Sequence, residues 1–220
     1  MLNVVLGYKG EKPIVKDITK DRMITICGVA GSGKTTYILE LISQLMLNHS
    51  PDDFKIIGSA FKNNLDFKKL ERTRHMEKIF IQDLGLIDYL KQRMQEREQE
   101  LKEKSEEDLY WIIVLIDDLV VSKVKKSIRD ELDELLPSLR DYKMIPIMTA
   151  QRPTNNYITD KLFDETTTFV LTKLSMGDLV RFSIDADDVK ELYTLERLVI
   201  TDKSRYVEVE NPVDIPDQVD

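Results

Sequence analysis

The chain has a single cysteine, Cys27, in 220 residues, which excludes both an internal disulfide and a multi-cysteine zinc site. Histidine is almost as scarce. His49 and His75 are the only two, and neither has a partner at metal-ligand spacing. Long hydrophobic runs are also missing: the longest uninterrupted one, Leu109 to Ile116, has eight residues, against roughly 20 for a membrane-spanning helix. The first residues, MLNVVLGYKGEK, show no basic start followed by an apolar stretch, so no secretory signal is expected. Positive charge is not in surplus either, since 32 Lys and Arg against 40 Asp and Glu leave a formal net charge of −8. A protein that coats nucleic acid draws much of its affinity from neutralising phosphates, so this balance argues against simple coating. It still allows a machine that touches DNA through a small basic patch lining a channel. An intracellular, cytoplasmic protein without a membrane span or a metal cluster is the expectation.

What is present reads as a globular α/β chain, with 42% hydrophobic and 33% charged residues. One domain is expected over residues 1–210. An acidic tail, 211–220, has two prolines and little to bury, so it should fray. Short β-type runs at Leu2–Leu6 and Pro13–Ile18 precede a stronger one at Met23–Cys27. A helix pattern follows, with Ile38, Leu41, Ile42, Leu45 and Met46 on one face. Phe54–Ala60 and Ile79–Ile81 read as strands, with a basic stretch from Lys62 to Lys78 between them. Leu86, Leu90, Met94, Arg97 and Leu101 mark a long helix reaching about Lys104. Its outer face offers Glu98/Lys102 and Glu100/Lys104 pairs at i,i+4, and the acidic run Glu103–Asp108 reads as a loop.

Trp111–Ile116 is a continuous apolar strand of the kind buried on both faces of a parallel sheet. The next helix carries Ile128, Leu132, Leu135, Leu136 and Leu139, and Pro137 should kink or end it. Met144–Met148 and Thr168–Leu171 read as two further strands, with a helix at Tyr157–Phe163 between them. Strands alternating with helices predict a mostly parallel sheet flanked by helices.

One motif dominates. Gly28, Val29, Ala30, Gly31, Ser32, Gly33, Lys34 and Thr35 match the phosphate-loop pattern GxxxxGK[ST] at every fixed position, with Thr36 next in the chain. The motif has the context it needs, a strand before it and an amphipathic helix after it. Glycines let the backbone curl so that successive N–H groups face phosphate oxygens, and the helix adds its positive N-terminal end. Lys34 should reach the β- and γ-phosphates, and the Thr35 hydroxyl should ligate Mg²⁺. The strand ending in Asp117-Asp118 places Asp117 where it can hold the magnesium shell, and Asp118 where it can orient or deprotonate the attacking water. Gln151 comes just after the strand Met144–Met148, at the crevice end of a parallel strand. It reads either as a contact to the γ-phosphate or water, or as a solvated strand end. The guanine-specificity element [NT]KxD is missing, Thr172-Lys173-Leu174-Ser175 coming closest, so ATP is the expected nucleotide.

In order, Leu6-Gly7, GVAGSGKTT, the apolar strand with Asp117-Asp118, Leu136-Pro-Ser-Leu-Arg140 and Thr149-Ala-Gln-Arg-Pro153 resemble the FtsK/SpoIIIE–HerA superfamily of P-loop (RecA/ASCE-like) ATPases. The resemblance runs from about Leu6 to about Ile200. Its specific part is the AQRP element after a strand, together with Thr154–Phe163 and the strand Thr168–Leu171. It implies an ATP-driven ring, usually hexameric, that pumps double-stranded DNA through its central hole without reading sequence. It also implies that Lys34 and Thr35 are the phosphate-loop pair, Asp117 the magnesium carboxylate and Gln151 a sensor-like polar residue. Arg140 stands where the family has an arginine that reaches the neighbouring subunit's nucleotide. Two departures stand out. The acid after Asp117 is Asp118, where the family usually has glutamate, which leaves the base assignment open. Membrane helices and a winged-helix module are not seen, so the chain resembles the free-standing packaging ATPases of viruses, with a plasmid or conjugation version as the neighbouring reading. A capsid portal or vertex, or a membrane channel, would be the docking partner.

Two basic clusters could track DNA phosphates: Lys123, Lys125, Lys126 and Arg129, and Lys62, Lys68, Lys69, Arg72 and Arg74. A protein-moving secretion motor and a small-molecule kinase are the competing classes. An arginine-rich lid of the kind a kinase needs is not evident between Asp141 and Asp220.

Overall fold

The computed structural model describes residues 1–61, 65–81, 83, 85–120, 123–184, 197–201 and 205–209. The chain opens with an antiparallel hairpin, β1 (Asn3–Lys9) and β2 (Lys12–Asp17), which forms its own two-stranded sheet. The main sheet comprises β3 (Ile24–Cys27), β4 (Phe54–Ala60), β5 (Met76–Ile81), β6 (Trp111–Asp117), β7 (Met144–Ala150), β8 (Thr168–Leu171), β9 (Arg197–Thr201) and β10 (Arg205–Val209). Their order is β10-β9-β8-β3-β7-β6-β4-β5. From β8 to β5 every pairing is parallel; β9 and β10 run antiparallel. The mostly parallel sheet predicted from the sequence is therefore present, with an antiparallel edge that no sequence pattern had announced.

Strand alternation divides the core in two. Ile24 and Ile26 of β3, with Ile113 and Leu115 of β6, pack on α1 (Lys34–Asn48) through Tyr37, Ile38, Leu41, Ile42 and Leu45, together with the hairpin. Ile112, Val114 and Ile116 face the other way, toward α3 (Leu86–Glu103) and α4 (Lys126–Ser138). Covering both faces is what a parallel sheet requires, and it explains why β6 reads as one unbroken apolar run. The hairpin is tied to α1 by Gln44, which donates to Val5 O and accepts from Val5 N–H, and by the Tyr37 hydroxyl, which donates to Leu6 O at 2.8 Å. The remaining helices are α2 (Leu65–Lys69), α5 (Asp160–Glu165) and α6 (Met176–Leu179).

Two local expectations change. The helix expected at Tyr157–Phe163 starts later, at Asp160, because the Thr159 hydroxyl caps it by accepting the Leu162 N–H at 3.2 Å. On α3 the Glu98/Lys102 pair forms at 2.9 Å, but Glu100 turns away from Lys104 and pairs with Arg93 and Arg97. Arg97 is 0% exposed and its guanidinium lies 4.6 Å from the Tyr110 ring centroid. A buried guanidinium draws a carboxylate more strongly than a solvated lysine does. Pro137 sits in the last turn of α4, and the chain passes directly into a 3-10 turn, Leu139–Tyr142. The tail 211–220 lies outside the described residues.

Candidate active site

The phosphate loop leaves the middle of the sheet. Gly28 donates its N–H to Ala150 O at the end of β7 (3.1 Å), and Val29 donates to Lys173 O beyond β8 (2.9 Å). Gly28 has no room for a side chain: a Cβ there would stand 1.7 Å from the Thr172 hydroxyl and 2.5 Å from that of Ser32. Gly31 and Gly33 have φ of 76° and 84°, in the left-handed region that disfavours residues with a Cβ. Gly33 is the N-cap of α1, so the helix turns its unpaired N–H groups toward the loop, an arrangement suited to an anion. Burial pushes the thiol of Cys27, just ahead of the loop, up to about 12, which leaves it protonated and inert.

Lys34 is nearly buried, and its ammonium donates to the carbonyls of Gly28 (2.8 Å) and Val29 (3.0 Å). These neutral acceptors are weaker partners than phosphate oxygens would be. The Thr35 hydroxyl donates to the Asp117 carboxylate, 3.1 Å from each oxygen. Two hard oxygen donors from separate elements thus converge. They suit magnesium, which usually takes one or two protein oxygens and completes its shell with phosphates and water. Among the described residues no group of three or more His, Cys, Asp or Glu could hold a metal by itself.

The acids continue the array. Asp117 closes β6, and Asp118 takes a left-handed φ of 58°, which aspartate tolerates better than most residues. Gln151, one residue beyond β7, donates its side-chain amide to Asp118 Oδ1 at 3.0 Å. Gln151 is therefore bound to the site's second acid. Thr149, unassigned from the sequence, donates to Asp117 Oδ1 (2.8 Å) and accepts the Asp118 N–H (2.7 Å). The signal available for it was a lone hydroxyl in an otherwise apolar strand. Arg152 forms a fork with Asp178 at 2.9–3.2 Å, and the Ser175 hydroxyl donates to the same carboxylate at 2.6 Å. Burial raises the Asp178 carboxyl, but the Arg152 fork and Ser175 outweigh it and hold it below the usual range. Thr172, which contacts Ser32 at 2.7 Å, was not legible, because 140 residues separate the two.

Arg140 lies elsewhere. It sits in the 3-10 turn before β7, its guanidinium 4.7 Å from the Trp111 ring centroid. Trp111 opens the seven-residue strand β6 and Asp117 closes it, so Arg140 lies at the opposite end of the strands, on the order of 20 Å from the acids. The basic clusters also part company. Lys123, Lys125 and Lys126 are exposed on the segment after Asp117-Asp118. Arg72 and Arg74 precede β5, at the far edge, with Lys68 and Lys69 on α2 between. Lys62 lies outside the described residues.

A parallel sheet with a phosphate loop after its central strand, a lysine and threonine opening the next helix, and two acids ending another strand define a P-loop ATPase. The chain belongs to the FtsK/SpoIIIE family, whose model matches residues 2–151. Members of that family are ATPases, and Mg²⁺ is the usual partner ion of such enzymes. No curated protein sequence matches the chain. Among solved structures it is similar to the cytoplasmic domain of the type VII secretion ATPase EccC from Thermomonospora curvata, with TM-score 0.78, 18% identity, 97% of this chain covered and 29% of that one. It is similar to the pCW3 conjugation coupling protein TcpA bound to ATPγS (0.68, 20%, 95% and 65%). It is also similar to the genome-packaging NTPase B204 of Sulfolobus turreted icosahedral virus 2 bound to ATPγS (0.61, 14%, 90% and 100%). At these identities the likeness concerns the fold, and the chain spans less than a third of the EccC structure. Among the described residues no helix is long and apolar enough to cross a membrane.

Proposed function

We propose that the chain is a motor that hydrolyses ATP to move double-stranded DNA, working as a homohexameric or other homo-oligomeric ring in genome packaging by a virus or DNA transfer by a mobile element. The observation that carries the reading is the run of contacts beside the phosphate loop: Thr35, next to Lys34, donates to Asp117, and Gln151 donates to the adjoining Asp118. That array can bind a nucleotide, hold an ion and orient water for in-line attack on the γ-phosphate. The packaging role draws support from B204, whose whole length the chain's fold accounts for. In this reading the motor works in the cytoplasm and docks on a capsid portal or vertex, or on a membrane channel. The exposed Lys123, Lys125 and Lys126 then contact phosphates without reading bases.

The likeness to EccC favours a second reading, a motor that moves protein. Steady-state ATP hydrolysis with and without long linear duplex DNA, repeated with RNA and with a protein extract, separates the two. Strong stimulation by duplex alone is expected. A rate unmoved by duplex and raised by protein would replace the DNA reading.

Within the ring, Arg140 is assigned to the neighbouring subunit's nucleotide, where an arginine acting in trans can contribute about 10³–10⁵ in rate. Its distance from its own phosphate loop agrees with a head-to-tail arrangement. Losing the stack on Trp111 removes only about 0.5–1 kcal/mol, so Arg140→Ala should still fold. Arg140→Ala and Lys34→Ala subunits should each be inactive alone, and a mixture should regain duplex-stimulated hydrolysis at shared interfaces. Full activity of Arg140→Ala by itself, or a dead mixture in which mixed rings form, removes the trans role.

A further inference from the structure

Strand β7 is buried along its whole length, and Thr149 is its one hydroxyl. At 0% exposure such a group is destabilising unless it is hydrogen-bonded. Its two bonds are both to the acids of the site. The N–H of Asp118 points at the oxygen from 2.7 Å, and the proton goes to Asp117 Oδ1 at 2.8 Å. The direction is settled by chemistry, since an N–H can only donate and a carboxylate only accept.

We propose that Thr149 is a positioning residue for ATP hydrolysis, its hydroxyl holding the Asp117 carboxylate and the Asp118 turn in one register. The proposal rests on the reading of Asp117 as the magnesium carboxylate and Asp118 as the water-directing acid. Asp117 is held from two sides, by Thr35 on α1 and Thr149 on β7, which leaves its carboxylate little freedom to rotate. Asp118 has the left-handed φ of 58°, and the bond from its N–H to Thr149 keeps the turn there. That turn in turn presents Asp118 Oδ1 to Gln151. One oxygen therefore couples ion holding to water placement, although it touches neither ion nor water.

Thr149→Val keeps the shape of the side chain and removes both bonds, whereas Thr149→Ser keeps the hydroxyl. The Val variant should lose about 10–100-fold in kcat, the range seen when a partner of a metal ligand is removed. It should need several-fold more magnesium for half-maximal rate. Calorimetric titration with ATPγS should show that magnesium improves its affinity less than it improves the parent's, with binding in EDTA unchanged because the loop and Lys34 are intact. The Ser variant should stay within about threefold of the parent on every measure. Two results overturn the proposal: a Val variant with the parent's kcat and magnesium dependence, or a Ser variant that falls as far as Val with an equal drop in melting temperature, which would make the residue a packing element. The underlying site reading fails separately, if Lys34→Ala and Asp117→Asn hydrolyse ATP at the parent rate.

Discussion

Lys34→Ala should be unable to hydrolyse ATP, with a rate at least about 10² below the parent and ATPγS affinity too weak to titrate, while its far-UV spectrum is unchanged. The reason lies in the contacts of Nζ. It donates to two carbonyls of its own loop, Gly28 and Val29. Removing it deletes a charge that phosphates would pair with. The melting temperature should move little, because a hydrogen bond from a charged group is worth about 1.5–3 kcal/mol at most and the variant no longer buries a cation. Calorimetric titration with ATPγS, steady-state hydrolysis and a thermal melt check the three parts. A parent-like rate would end the phosphate-loop assignment.

The two acids should separate binding from turnover. Asp117→Asn should weaken magnesium-dependent nucleotide binding, since the amide keeps an oxygen for Thr35 and Thr149 but loses the charge that holds a divalent ion. Asp118→Asn should bind nucleotide normally and lose about 10²–10⁴ in kcat, the contribution expected of a positioned acid or base. The substitution is clean on geometric grounds. Asparagine accepts the left-handed φ of 58° as readily as aspartate does, and its side-chain oxygen can still accept from Gln151. Titrating ATPγS into each variant with and without magnesium, alongside kcat and KM, reads the division directly. Equal losses of affinity would remove it, and unchanged turnover in Asp118→Asn would reduce that residue to a shaper of the turn.

The chain's own order of residues determined a great deal. The phosphate loop and its flanking elements were legible because their constraints are local. A tight glycine turn needs Gly31 and Gly33 at fixed positions, and a lysine and threonine must open the next helix. Strand β6 was legible because burial on both faces demands an unbroken apolar run, and Asp117-Asp118 stood out by ending it. The limits of α3 and α4 came from periodicity and, for α4, from Pro137.

Other features depended on partners far away in the chain. Strands β9 and β10 are not legible in the sequence because an antiparallel edge is specified by the β8 backbone it pairs with, not by a pattern of its own. Glu100 leaves Lys104 for Arg93 and Arg97 because Tyr110 and the packing of α3 bury those arginines. Sequence order alone left Gln151 between a nucleotide contact and a solvated strand end; placing β7 directly beside β6 gives it Asp118 as a partner. The same adjacency brings Thr149 to both acids, from 31 and 32 residues away. Local chemistry therefore wrote the nucleotide loop and its acids into the sequence. The side chains that hold them in place came into view only with the strand order, because a hydrogen bond between neighbouring strands depends on which strands are neighbours.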